Sequence, residues 1–202
     1  MLAILSASLT QANASSVENK YDLSKYTVEE LTDLRKAVDK QLWAIEHNRL
    51  SVESDLADFM YASNGNEVRV NAYIGNGGDV RIPDEIDGLP VTQLAEESFQ
   101  DNENGVNSIV FPSELTSIGD DCFRCAYHLS GIINLPNTLE EIGSHAFIQT
   151  SISGVVIRSD CVIGIQSFGG AEDLKFVYIE PEKNVVIKYV AFSGADSLRI
   201  VI

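Results

Sequence analysis

Thr116-Ser117-Ile118-Gly119-Asp120-Asp121-Cys122-Phe123 returns one interval later as Leu139-Glu140-Glu141-Ile142-Gly143-Ser144-His145-Ala146-Phe147. Both stretches end in a small residue followed by phenylalanine, with an Ile-Gly step ahead of it. Outward from these two, the same pair recurs as Ser98-Phe99, Ser167-Phe168 and Ala191-Phe192, so the phenylalanines are spaced 24, 24, 21 and 24 residues apart. Leu94, Ile118, Ile142, Ile163 and Ile187 each stand five residues before one of them. Ten to twelve residues after each Phe, a short apolar run ends at Phe111, Leu135, Ile157, Ile179 or Ile202, and Ile82-Pro83 opens the series. A fixed period in this range is the signature of a solenoid.

The repeat has to stack. Each unit carries about five large apolar side chains, worth roughly 10 kcal/mol if all are buried. Ordering some 24 residues of backbone costs about 1–2 kcal/mol each, so a single unit is unstable alone and shares its interior with its neighbours. The runs Ile109-Val110-Phe111, Ile133-Asn134-Leu135, Val155-Val156-Ile157, Val177-Tyr178-Ile179 and Ile200-Val201-Ile202 read as strands, being rich in β-branched residues and closed by turns. Equal spacing lays them parallel in one sheet, first and third residues inward. The Ile-Gly step is the bend, and the small-residue–Phe pair fills the next corner.

These motifs resemble the BspA-like bacterial leucine-rich repeat family, an extracellular class. The lead-in Tyr73-Ile74-Gly75-Asn76-Gly77-Gly78-Asp79-Val80-Arg81-Ile82-Pro83 and the stretch Asp87-Gly88-Leu89-Pro90-Val91-Thr92 are similar to the start of such arrays. The resemblance implies a right-handed leucine-rich repeat solenoid over 56–202 with short bends between its strands. It also implies a secreted or cell-surface location, and adhesion or recognition of a host or bacterial surface protein. The chain departs from the family pattern at Leu94-Ala95 and Ile187-Lys188, where the glycine is missing, and at Asn102, Ala126, Thr150, Ala171 and Ala195, where cysteine is usual.

Ahead of the array, residues 1–14 combine a short apolar stretch with Ala12-Asn13-Ala14, the small-x-small form of a signal-peptide cleavage site, though no basic residue precedes it. A buried or frayed N-terminal helix is the other reading. Residues 15–26 form a polar tether. Thr27-Val28-Glu29-Glu30 is a capping box, and Val28, Leu31, Leu34, Val38, Leu42 and Ile45 fall on one face of an amphipathic α-helix over 27–47. That face either docks on its own solenoid or takes a partner. Phe59-Met60-Tyr61, Asn64-Gly65 and Val68-Arg69-Val70 describe a β-hairpin within 56–75 that caps the stack. At the other end, the strand through Ile202 is expected to leave an apolar edge, open to self-association or to further repeats.

The net charge of −16 disfavours nucleic acid and anionic membrane surfaces, which call for basic patches. The apolar stretches are too short for membrane insertion. Cys122, Cys125, His128, His145 and Cys161 carry a partial zinc-like spacing but differ in phase along the repeat, so they do not converge on one metal. Cys125 and His128 lack an orienting third group for nucleophilic catalysis. Asp101-Asn102-Glu103-Asn104-Gly105 lacks the EF-hand spacing, and Gly75-Asn76-Gly77-Gly78 lies between strands, so both are turns. Neither catalytic residues nor a cofactor is expected. An odd count of three cysteines leaves at least one free thiol, and a Cys122–Cys125 bridge would be strained.

The outward row of the sheet is the candidate partner-binding face. It takes Arg81, Val110, Asn134, Val156, Tyr178 and Val201, and, two residues earlier in each unit, Asp79, Ser108, Ile132, Gly154, Phe176 and Arg199. Val110, Ile132, Asn134, Val156, Phe176 and Tyr178 are the residues expected to meet a protein partner. Two other readings account for the same residues: the β-branched preference of parallel strands, and cover by the N-terminal helix. The function that follows is a protein-binding or adhesion module; the alternative is a structural spacer or self-associating segment of a larger surface protein.

Overall fold

The computed structural model describes residues 54–100 and 105–201, with side chains through Arg199. The signal peptide, tether and helix expected over 1–47, most of the acidic loop at 101–104, and Ile202 lie outside the described residues.

One turn of 3-10 helix at Leu56–Asp58, capped by Asp55 Oδ1 accepting from Ala57 N at 3.0 Å, leads into β1 (Phe59–Ser63). β1 pairs antiparallel with β2 (Val68–Tyr73). Asn64 Oδ1 accepts from the amides of Asn66 and Glu67 in the turn, where Gly65 takes φ 91°. After β2 the chain coils, and two parallel ladders run along the stack. The first holds β2, β5 (Leu89–Leu94), β7 (Ser117–Ile118), β9 (Glu141–Ile142), β11 (Val162–Ile163) and β13 (Val186–Ile187); β4 (Glu85–Ile86) pairs antiparallel with β5. The second ladder is interrupted: β3 (Gly78–Arg81) pairs with β6 (Val106–Val110), and β8 (Ser130–Asn134), β10 (Ser151–Ile157), β12 (Phe176–Ile179) and β14 (Ile200–Val201) form a separate four-stranded sheet. Strand therefore forms on both sides of each coil, where the sequence predicted a sheet on one side and a bend on the other.

The core lies between the ladders. Leu94, Ile118, Ile142 and Ile163 project into it from the first, and Ile109, Ile133, Val155 and Val177 from the second. The spaced phenylalanines form one column: Tyr73, Phe99, Phe123, Phe147, Phe168 and Phe192 stack ring on ring at 4.8–5.3 Å between centroids. Phe59 of the hairpin extends the column at 5.4 Å. Each ring is fixed by its backbone, since the amides of Phe99, Phe123, Phe147 and Phe168 donate to the carbonyls of Cys122, Ala146, Ser167 and Ala191 on the following coil at 2.7–2.8 Å.

The Ile-Gly step has a steric cause. A Cβ on Gly119 would meet the Glu96 amide nitrogen at 2.5 Å, and one on Gly143 the Asp120 nitrogen at 2.5 Å. Adjacent coils approach closely there, and only glycine admits the contact.

The final strand corrects the expected phase. Ile200 pairs with Phe176 and Val201 with Val177, which puts Ile200 rather than Val201 in the outward row. Val201 keeps the 24-residue distance from Val177 that separates Phe192 from Phe168; counting back from Ile202 displaced the register by one residue and with it the face.

Candidate protein-interaction surfaces

The candidate face is in register within each of its two sheets: Arg81 with Val110 in one, and in the other Asn134 with Val156, Val156 with Tyr178, and Gly154 with both Ile132 and Phe176. Val110, Ile132, Asn134 and Tyr178 are half-buried and accessible. Val156 and Phe176 are not: they are 0% and 7% exposed, which corrects the expectation that both meet a partner. The cause is local. Gly154 leaves a hollow in the outward face, and the Phe176 ring fills it; a Cβ on Gly154 would fall 2.3 Å from Phe176 Cζ. Val156 sits in register between Asn134 and Tyr178, and Arg158 donates to Asn134 Oδ1 at 2.6 Å, so larger neighbours close over it. At the hairpin end of the row, Ser108 Oγ donates to Asp79 Oδ1 at 2.7 Å, and Arg81 lies 3.7 Å from Asp84. The face is thus polar towards β3 and apolar towards β12.

A second surface comes from the corner that carries the phenylalanines. Two residues before each Phe, the backbone enters the left-handed region at Glu97 (φ 58°), Asp121 (52°), His145 (58°), Gln166 (50°) and Val190 (51°). It does so again two residues after, at Cys125 (57°), Gln149 (59°), Gly170 (64°) and Gly194 (76°). This double reversal turns the small residue and the Phe into the core and directs the flanking residues outward. The flanking residues therefore stack in columns, one coil apart. Glu96, Asp120, Ser144, Ile165 and Tyr189 form one; Glu97, Asp121, His145, Gln166 and Val190 form the next. Asp121 Oδ1 lies 3.4 Å from Arg124 and 3.9 Å from His145 Nδ1, and His145 Nε2 is 3.3 Å from Gln166 Oε1. Contact with the Cys125 side chain, and then the Asp121 charge, raises the pKa of Arg124.

Both columns change character along the stack, from carboxylates to apolar side chains. Tyr189 is 81% exposed and Ile165 43%, and beside them Val186, 45% exposed, pairs with Val162 in the first ladder. Reading rows along the long strands alone missed these residues. Counting three back from Phe168 and Phe192 would have found Ile165 and Tyr189, and counting six back from Phe192 would have found Val186.

The cysteines and histidines stay apart. All three thiols are free. Cys122 is sealed in the core 3.1 Å from Ser98 Oγ, and burial pushes its thiol up to about 12. Cys161 is likewise buried and its pKa raised by desolvation. The Cys125 thiol donates to Gln149 Oε1 at 3.3 Å, and the His128 ring lies against Gly105. Among the described residues no group of three or more His, Cys, Asp or Glu is placed to hold a metal ion, and no helix is long and apolar enough to cross a membrane. A shallow hollow of about 220 Å³ at the hairpin is lined by Ala62, Ser63, Asn64, Glu67, Arg69 and Gln93. Its carboxylate is engaged: Glu67 accepts from Thr92 Oγ1 at 2.7 Å and from Asn64 Nδ2 at 3.1 Å.

This geometry has relatives. The model of the BspA type leucine-rich repeat region matches residues 90–202 in six copies, more than half of the chain. The crystal structure of the leucine-rich repeat protein of T. pallidum is similar, with TM-score 0.68 and 28% identity over 74% of this chain and 71% of that one. A leucine-rich cell surface protein from Faecalibacterium prausnitzii A2-165 shares the fold, with TM-score 0.58 and 22% identity; 75% of this chain matches 42% of its length. No curated protein matches. The repeated Ile-Gly and small-residue–Phe steps, the coils they build and the family match agree: the chain belongs to the BspA-type leucine-rich repeat family.

Proposed function

We propose that the protein is a secreted or cell-surface binding module that presents the outward face of its long-strand ladder to a protein partner in adhesion. The observation that carries this reading is the row of Asn134 and Tyr178, in register through Val156, with Ile132 on the same face and Val110 on the neighbouring two-stranded sheet, accessible side chains held on a frame of stacked coils. Such a frame presents many groups with little ordering left to do on binding, so binding energy is not spent on folding the surface. The family is consistent with interaction rather than catalysis, and the similar surface protein of F. prausnitzii supports an extracellular place.

The test is capture of partners by the full chain from a panel of purified host and bacterial surface proteins, repeated with Tyr178→Ala and Ile132→Asp. Loss of capture with an unchanged circular dichroism spectrum and melting temperature supports the face. Undiminished capture by both variants overturns it. The spacer reading rests on the same rigid stack and gains ground if no panel member binds.

A further inference from the structure

The corner columns run from charge to apolarity across five coils. At the hairpin end stand Glu96, Glu97 and Asp120, exposed, with half-buried Asp121 beside them; at the other end stand Ile165, Val186 and Tyr189. The acidic end is only partly satisfied internally. Asp120 Oδ1 accepts from the Ser144 amide at 2.6 Å, and Asp121 has Arg124 and His145 within 4 Å, while the Glu96 and Glu97 carboxylates make no ion pair among the described residues. At the apolar end three large exposed side chains stand on two adjacent coils, with exposed Lys188 next to Tyr189 in the chain.

We propose that this corner is a second docking surface, for a protein segment that carries basic side chains in one half and apolar side chains in the other. The segment lies along the stack, its basic half over Glu96, Glu97 and Asp120 and its apolar half over Ile165, Val186 and Tyr189. Charge complementarity selects this occupant: the carboxylates draw a cationic half, and Lys188 repels one, so the segment enters in one direction. The four steps between these five coils span about 19 Å, the length of roughly 13 residues of helix or six of strand. Tyr189 is the anchor, an amphipathic ring of the type that dominates binding energy when buried at a contact. This inference rests on the protein-recognition reading and gives it a second site with a stated partner chemistry.

The experiment titrates the full chain with a synthetic peptide of about 14 residues, Lys in one half and Leu and Phe in the other, and follows amide shifts by NMR. Controls are the same peptide with Glu for Lys, and one with its Lys and apolar residues interspersed. The expected result is binding of the segregated peptide alone, with shifts at 96–97, 120–121, 165 and 186–190. Tyr189→Ser should weaken it about tenfold or more, and raising salt from about 50 to about 500 mM should weaken it further. Glu96→Gln with Glu97→Gln should reduce the salt dependence without altering the fold. Equal binding of all three peptides, or shifts confined elsewhere, overturns the proposal. So does a dimer of the free chain that Tyr189→Ser dissociates, or cross-links from residues 27–47 to Lys188, since a second copy or the chain's own segment then covers the corner. Failure of the peptide while panel capture still depends on Tyr178 sinks the corner and spares the sheet face. Peptide binding here while panel capture ignores Tyr178 supports the corner alone.

Discussion

The ring of Phe176 occupies the place a side chain on Gly154 would take: a Cβ there would sit 2.3 Å from Cζ and 2.5 Å from Cε1. The two residues are in register on adjacent strands, so one residue's lack of a side chain is what buries the other's. Gly154→Ala should expel the ring and cost about 1–3 kcal/mol, the usual range for overpacking. Urea unfolding measures the loss, and a rise in binding of a hydrophobic dye would show the ring at the surface. Unchanged stability and dye binding would mean that the ring has another resting place.

Val190 adopts φ 51°, a left-handed conformation costly for any L-residue and unusual for a β-branched one. The other four residues at this step are Glu, Asp, His and Gln, none of them branched at Cβ. Val190→Asn should therefore stabilise the protein by about 1 kcal/mol. Gly194→Ala, at φ 76°, should destabilise it by a similar amount. Paired urea melts of the two variants check both signs.

Phe147 lies between Phe123 at 5.0 Å and Phe168 at 5.3 Å, fully buried. Phe147→Ala removes the ring and both stacking contacts, and should cost about 3–5 kcal/mol. Because each coil rests only on its neighbours, the damage should stay local. Hydrogen exchange should accelerate around 123 and 168 and change little in the hairpin at 59–73.

Cys122 gives a pH signature. Its folded pKa is raised from 9.0 to about 12 by burial, so the folded state keeps a proton that the unfolded chain releases. Stability from this thiol is full below pH 9.0 and falls as pH rises towards about 12, with a total loss of roughly 4 kcal/mol. Cys161 and Tyr73, both raised chiefly by desolvation, add to the decline with the same sign. Cys122→Ala should flatten the alkaline limb in a series of urea melts from pH 8 to about 11, leaving what Cys161, Tyr73 and Tyr61 (raised by its hydrogen bond to Asp87) contribute.

The stack was legible in the sequence because one residue type marks it. Phenylalanine at a near-constant interval marks the period, and the stacked rings follow it; Ile118-Gly119 and Ile142-Gly143 read as bends, but their isoleucines lie in the short strands β7 and β9, with glycine where adjacent coils approach. What stayed hidden depends on pairs of residues a coil apart. Gly154 and Phe176 are each unremarkable alone, and only their register buries the ring. The left-handed steps at Glu97, Asp121, His145, Gln166 and Val190 carry no glycine to announce them. The apolar corner escaped because Ile165, Val186 and Tyr189 lie outside the long strands, although Ile165 and Tyr189 share one phase relative to the phenylalanines.

The inter-coil bonds have a mechanical consequence. Phe99 reaches Cys122, Phe123 reaches Ala146, Phe147 reaches Ser167 and Phe168 reaches Ala191, so nearly every tie spans one period of the chain. A load that peels the array from one end meets these ties a coil at a time. Each rupture frees about 24 residues, roughly 80 Å of slack, while the coils behind it hold. Under tension at a surface, such an array yields stepwise, like rope paid out from a spool.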